Sequence, residues 1–127
     1  MLKYILAMEK SDLHRISANP ESHKRFKNAS IIALALKGVA GIKDIRLFGS
    51  VLRGNSHIDS DTDLLVIINE GITLDHKKLL GILKKDKKVN RILLKSDIRF
   101  FIEYEQATKD FSSQVKSIYH EAISIYS

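Results

Sequence analysis

Asp61 and Asp63 stand one residue apart within LFGSVLRGNSHIDSDTDLLVII (residues 47–68), at the mouth of the apolar run Leu64 to Ile68. Residues two apart on a strand point to the same face, so the two carboxylates would project side by side. Carboxylates at such separations, about 4–6 Å, repel, and burial sharpens the repulsion. A cation between them removes that cost. An oxygen-only donor set of this kind suits Mg²⁺, or Mn²⁺ in its place. Mg²⁺ keeps several waters and takes its remaining ligands from substrate phosphates.

A third acid extends the pattern. Asp97 opens SDIRFFIEYE (96–105), where Ile98, Phe100 and Ile102 alternate towards a core and leave Asp97 and Arg99 on the opposite face. If this strand neighbours the first, Asp97 completes a three-carboxylate cluster able to hold two Mg²⁺ ions. One ion would activate a hydroxyl and the other would grip a triphosphate and its leaving pyrophosphate. Asp97 is then the candidate general base. Upstream, Gly49 lets backbone approach phosphate closely and Ser50 offers a hydroxyl and an N–H at the start of a short helix. Arg53, one turn on, can fork onto phosphate oxygens, and Gly54 lets the chain leave the tight segment. Taken singly, each of these signals is weak. Their joint order carries the weight.

The surrounding elements must position these groups. Leu2, Ile5, Leu6, Leu13 and Ile16 recur at helical spacing and predict a helix over 2–17. Asn19-Pro20-Glu21 reads as the N-cap and first turn of a second helix running to Leu36, with Gly38 beyond its end. Strands follow at 44–48 and 62–68, the second apolar on both faces and therefore central. A helix over 74–84, the strand 96–105, a helix over 111–120 and an extended 122–126 complete the chain. This order predicts an α+β fold, a small mixed sheet flanked by helices, with a helical N-terminal extension (1–40) on a core spanning 44–126 in one domain.

The bulk numbers are compatible. The chain has 127 residues, 44% hydrophobic and 28% charged, and no cysteine. That length suffices for a core without disulfide or thiolate-metal staples. No run approaches the roughly 20 apolar residues of a membrane span, and no signal-peptide pattern is visible, so a cytoplasmic location is expected. The net charge of +6 concentrates in HKRFK (23–27) and in 84–99, surfaces that suit nucleotides, nucleic acid or an acidic protein. The five histidines lack metal-ligand spacing. Glu103 and Glu105 share the face of Asp97 further along its strand.

Gly49-Ser50, the intervening residues 51–60, Asp61-Thr62-Asp63 leading into an apolar strand, and Asp97 on a later strand together resemble the nucleotidyltransferase superfamily typified by DNA polymerase β. The small size is similar to the minimal nucleotidyltransferases that act as antitoxins beside HEPN-domain toxins. Their pattern GSxxRG…SDxDLLV is matched by Gly49, Ser50, Arg53, Gly54, Ser60, Asp61, Asp63, Leu64, Leu65 and Val66. The closing HEAISIY (120–126) also looks like their C-terminal segment. The resemblance covers roughly residues 44–126. It implies transfer of a nucleoside monophosphate, AMP from ATP foremost, to a hydroxyl, with release of pyrophosphate. In the antitoxin branch it implies a tyrosine of the partner toxin as acceptor. Catalysis and metal binding would fall to Asp61, Asp63 and Asp97, and nucleotide binding to Gly49, Ser50 and Arg53. His57 departs from the pattern, standing where many minimal members carry arginine, which implies a weaker grip on triphosphate.

Two other classes fit the sequence. A binding module of the same fold would work by occupying a partner protein and would survive loss of Asp61 and Asp63. A nucleic-acid-binding domain would use the basic 84–99 segment and show steep salt dependence.

Overall fold

The computed structural model describes residues 8–105, 118 and 120–125. Among them the elements run α1 (Lys10–Ser17), α2 (Pro20–Leu36), β1 (Ile42–Phe48), α3 (Ser50–Arg53), β2 (Thr62–Ile68), α4 (His76–Leu83), α5 (Lys87–Lys95), β3 (Ile98–Tyr104) and β4 (Ile123–Ser124). The expected α+β architecture is present. The sheet is mixed, in the order β3-β2-β1-β4. β1 runs antiparallel to β2 and β4, whereas β2 and β3 are parallel.

Local chemistry explains most boundaries. The Asn19 side chain accepts a hydrogen bond from the Ser22 N–H (2.9 Å), and Pro20 occupies the first turn, where its missing N–H costs nothing. Asp75 caps α4 by accepting from the Lys78 N–H at 2.9 Å. β2 sits inside the sheet, and Leu64 to Ile68 are all buried, as the unbroken apolar run requires.

Two expectations change. Among the described residues the first helix begins at Lys10, so the helix expected over 2–17 is not continuous. Met8 and Glu9 are not helical, and Glu9 holds an extended conformation at the helix entrance (φ −74°, ψ 155°). Residues 2–7 lie outside the described residues. The second change is α5, in the basic stretch where no separate element was expected. The Asp86 carboxylate accepts from the N–H groups of Lys88 (2.9 Å) and Val89 (3.2 Å) and starts the helix, while Val89 is buried and Ile92 and Leu93 pack beside it at helical spacing. The helix expected over 111–120 lies outside the described residues except for its end, where 118, 120 and 121 are helical.

The two faces of the sheet differ. Leu64, Val66 and Ile68 of β2 join Ile16 of α1, Phe26 and Ile32 of α2 and Phe100 of β3 in one large core. Leu65 and Ile67, on the opposite face, pack with Phe48, Phe101, Ala122 and Ile118. Asp61 and Asp63 alternate with the first set, so they emerge on the second face.

Candidate functional site

The site begins where β1 ends. Gly49 carries the chain from Phe48 into α3 with φ +79° and ψ −156°, a conformation that side-chain-bearing residues rarely adopt. The absent side chain has a second use. A Cβ at position 49 would stand 2.5 Å from Asp63 Oδ2, so the Asp63 carboxylate occupies the space that glycine leaves. Ser50 opens α3, with its Oγ 3.3 Å from the Ser56 Oγ. Gly54 closes α3 in the left-handed region at φ +72°.

The parallel pairing of β2 and β3 aligns the acids. Thr62 is registered with Ile98 and Asp63 with Arg99, and the Thr62 N–H donates to the Asp97 carbonyl at 2.8 Å. Asp61 and Asp97 therefore precede their strands at matching positions on adjacent chains. Arg99 pairs with both acids at the start of β2: its Nη1 donates to Asp61 Oδ2 at 3.4 Å, and its Nε lies 3.0 Å from Asp63 Oδ1. The second approach is a charge contact without hydrogen-bond alignment, and Asp63 Oδ1 stays buried with no hydrogen bond. The guanidinium also lies 5.3 Å from the centre of the Phe101 ring, which in turn meets Phe48 edge-on.

Asp63 pays electrostatically for this position. Burial pushes its pKa above the usual carboxylate value, Arg99 pulls it down, and the neighbouring Asp61 pushes it up again, leaving it raised. Asp97 is different. It is exposed, and it lines two cavities, one shared with Lys24, Arg25 and Lys95, the other with Asp61 and Arg99. Among the described residues no three His, Asp or Glu side chains are set to hold a metal ion as a group. Asp61 and Asp63 are brought together, with Asp97 beside them and Arg99 as their present counter-charge.

Residues that the sequence reading left out hold the loop in place. The Ser22 Oγ of α2 accepts from the Ser56 N–H at 3.0 Å. Arg25, on the same helix, is buried and donates to the carbonyls of Ile58 (2.9 Å) and His57 (3.3 Å). From α1, the Arg15 Nε donates to the Leu52 carbonyl at 2.9 Å, and the Arg15 backbone lies so close to Gly54 that a Cβ there would meet its carbonyl oxygen at 2.6 Å. The N-terminal helices thus fasten both ends of the segment between Gly49 and Asp61. Arg25 is legible in retrospect: it falls on the same helical stripe as Ser22, Ala29 and Ile32, all buried. It belongs to the scaffold, not to the polyanion surface expected for 23–27.

Arg53 is exposed and paired with Glu121 at 2.5 Å, a contact 68 positions away in sequence. His57 uses its backbone, donating its N–H to the Ser60 Oγ at 2.9 Å.

The donor chemistry fits a hard cation. Two carboxylates share a face, one buried oxygen lacks a hydrogen bond, and a glycine leaves room for the Asp63 carboxylate to sit against the turn. This suits an ion that takes few protein oxygens and completes its shell with water and phosphate, as Mg²⁺ does, better than a closed protein cage. No helix among the described residues is long and apolar enough to cross a membrane.

Comparison with known proteins bears on the fold and the family. None of the curated proteins compared matches the chain. A solved structure described as a toxin-antitoxin with AMP-PNP shares the fold, with a TM-score of 0.52 and 22% identity over 78% of this chain and 72% of that one. The family model for the polymerase beta nucleotidyltransferase domain matches residues 30–127, from within α2 onward. The chain belongs to the polymerase beta nucleotidyltransferase family.

Proposed function

We propose that this protein is a Mg²⁺-dependent transferase that moves a nucleoside monophosphate, AMP from ATP by preference, to a hydroxyl on a partner protein, in the manner of an antitoxin acting on its HEPN-type toxin. The observation that carries the reading is the seating of Asp63 against Gly49, beside Asp61, at the start of a buried strand. A chain gains nothing structurally from two adjacent acids whose burial raises the pKa of one of them. The fold neighbour, a toxin-antitoxin with AMP-PNP, supports the partner and the adenine nucleotide.

Asp61 and Asp63 would hold the ion, and when bound it would neutralise them and polarise the α-phosphate. The Gly49-Ser50 backbone approaches the triphosphate, and Arg53 would exchange Glu121 for phosphate oxygens. Asp97, exposed beside Asp61, would accept the proton of the acceptor hydroxyl. That oxygen forms a bond to the α-phosphorus, the bond from α-phosphorus to the bridging oxygen breaks, and pyrophosphate leaves with the electron pair. Arg99, which now pairs with Asp61 and Asp63, would give up these contacts for the acids to hold the ion.

The test uses ATP labelled at the α-phosphate, with γ-labelled ATP as control, Mg²⁺, and lysate of the native host. Label transferred from the α position alone, and lost in Asp63→Asn, is the expected result. Absence of transfer with all four nucleotides would sink the reading. The Arg99 contact favours one alternative, a binding module of the same fold, because a guanidinium can neutralise the acids without metal. In that case Asp61→Asn and Asp63→Asn would still hold the partner and no label would move.

A further inference from the structure

The groove beside Asp97 has features that nucleotide binding does not use. Strand order places Gly49 at β1, the paired acids at β2 and Asp97 at the edge strand β3. The nucleotide-facing loop and the β3 side therefore flank the acids from opposite directions. On the β3 side lies a cavity of about 410 Å³ with Asp61, Asp97 and Arg99 at one end. Its walls come from two helices: Leu80 and Lys84, one turn apart on α4 and its C-terminal cap, and Asn90, Leu93 and Leu94, which share one face of α5. Ile98 of β3 lies between them.

We propose that this groove is the acceptor subsite, and that it takes a protein segment in which apolar residues and carboxylates flank the hydroxyl to be modified. The assignment rests on the transferase reading for the chemistry, but the binding stands by itself. Three observations define the occupant. Leu94 is 77% exposed at the groove wall, a large apolar side chain left in water next to polar reacting groups. The charge around it is mostly basic: Lys84 and Arg99 line the groove beside Asp61 and Asp97, and Lys85, Lys87, Lys88, Arg91 and Lys95, all exposed, belong to the segment that forms its walls, whose one acid, Asp86, is engaged in capping α5. Finally, the lining contains no aromatic side chain on which a nucleobase could stack. Leucine walls carried on a basic segment fit an acidic, apolar peptide better than a polynucleotide.

The experiment measures fluorescence anisotropy of three probes without nucleotide or metal. Two are synthetic peptides of equal length, each a tyrosine flanked by leucines, one with glutamates and the other with lysines outside them. The third is a single-stranded RNA. The wild-type protein should bind the glutamate peptide at least about tenfold more tightly than the lysine peptide. Leu94→Glu should weaken that binding about tenfold, and Lys84→Glu should shift preference towards the lysine peptide. Both positions are exposed, so an unchanged melting temperature will certify the fold. Failure to bind the glutamate peptide, equal binding of both peptides, or indifference to Leu94→Glu overturns the assignment. So does RNA that displaces the glutamate peptide and is itself lost in Leu94→Glu, which would give the groove to nucleic acid. Adding α-labelled ATP and Mg²⁺ separates the two claims: a peptide bound in the groove but never labelled leaves the subsite standing and removes the transferase reading.

Discussion

The two flanks of the acid pair are built on opposite plans. On the β1 flank everything is fastened: Gly49 admits the Asp63 carboxylate, Ser22 and Arg25 hold residues 56–58, and Arg15 holds Leu52. On the β3 flank Asp97, Arg99 and Leu94 are exposed around open cavities. A group that must meet the same small molecule each time is best fixed in advance, because ordering it then adds no cost on binding. A surface that awaits a larger partner can be left unfinished. The contrast implies that substitutions on the β1 flank act on stability and nucleotide together, whereas those on the β3 flank act on association.

The sharpest break comes from Asp63→Asn. Transfer should fall at least about 100-fold through loss of charge at the proposed metal position, read as label incorporation. The same change should raise stability at neutral pH in chelator. The sign follows from the raised pKa of Asp63. The folded chain binds that proton more tightly than the unfolded chain, so stability falls as pH rises from the ordinary carboxylate value of 3.8 through the raised one. The mutant's advantage is therefore present above the raised value and vanishes below 3.8, as thermal melts of the two proteins across pH will show. A parallel slope in both proteins would refute the burial argument.

Gly49→Ala should follow in size. It combines backbone strain of about 1–3 kcal/mol with the 2.5 Å clash against Asp63, and urea unfolding should register both. Arg25→Met keeps the packing stem and removes the donor to two carbonyls, for a loss of about 1–3 kcal/mol. Its diagnostic is a raised KM for ATP, since the loop it holds leads to Asp61. On the other flank, Arg99→Gln should be mildest. Because the Arg99 side chain is half exposed, its removal should strengthen Mn²⁺ binding only about two- to fivefold by calorimetry. Weaker Mn²⁺ binding would instead make Arg99 a supporter of the metal site.

The sequence reveals these two flanks unequally. β2 was readable because an uninterrupted apolar run has few places to go except the middle of a sheet. Asp61 and Asp63 were readable because acids at that place need a reason. Arg25 hid in a basic cluster, where its charge masked its position on the buried stripe of α2. α5 hid for the same reason: four basic residues, Lys87, Lys88, Arg91 and Lys95, outnumber the Val89, Ile92 and Leu93 that seat it. Two further contacts, Arg53 with Glu121 and Arg99 with both acids, join elements far apart in the chain, and no local pattern announces them. The role of α1 and α2 as fasteners emerged only from the hydrogen bonds they make.

The parallel pairing of β2 with β3 also sets a schedule. Because both strands start at the same edge, Asp97 reaches Asp61 only after the chain has passed through α4 and α5 and turned back. An antiparallel β3 would have put Asp97 at the far end, roughly 20 Å away for a strand of this length. During synthesis β1, Gly49 and the two β2 acids emerge first, and the strand that brings Asp97 comes 35 residues or so later, a closure of the slow, non-local kind. A chain cut short in α4 or α5 would keep the glycine turn and the paired acids yet lack both Asp97 and the acceptor groove.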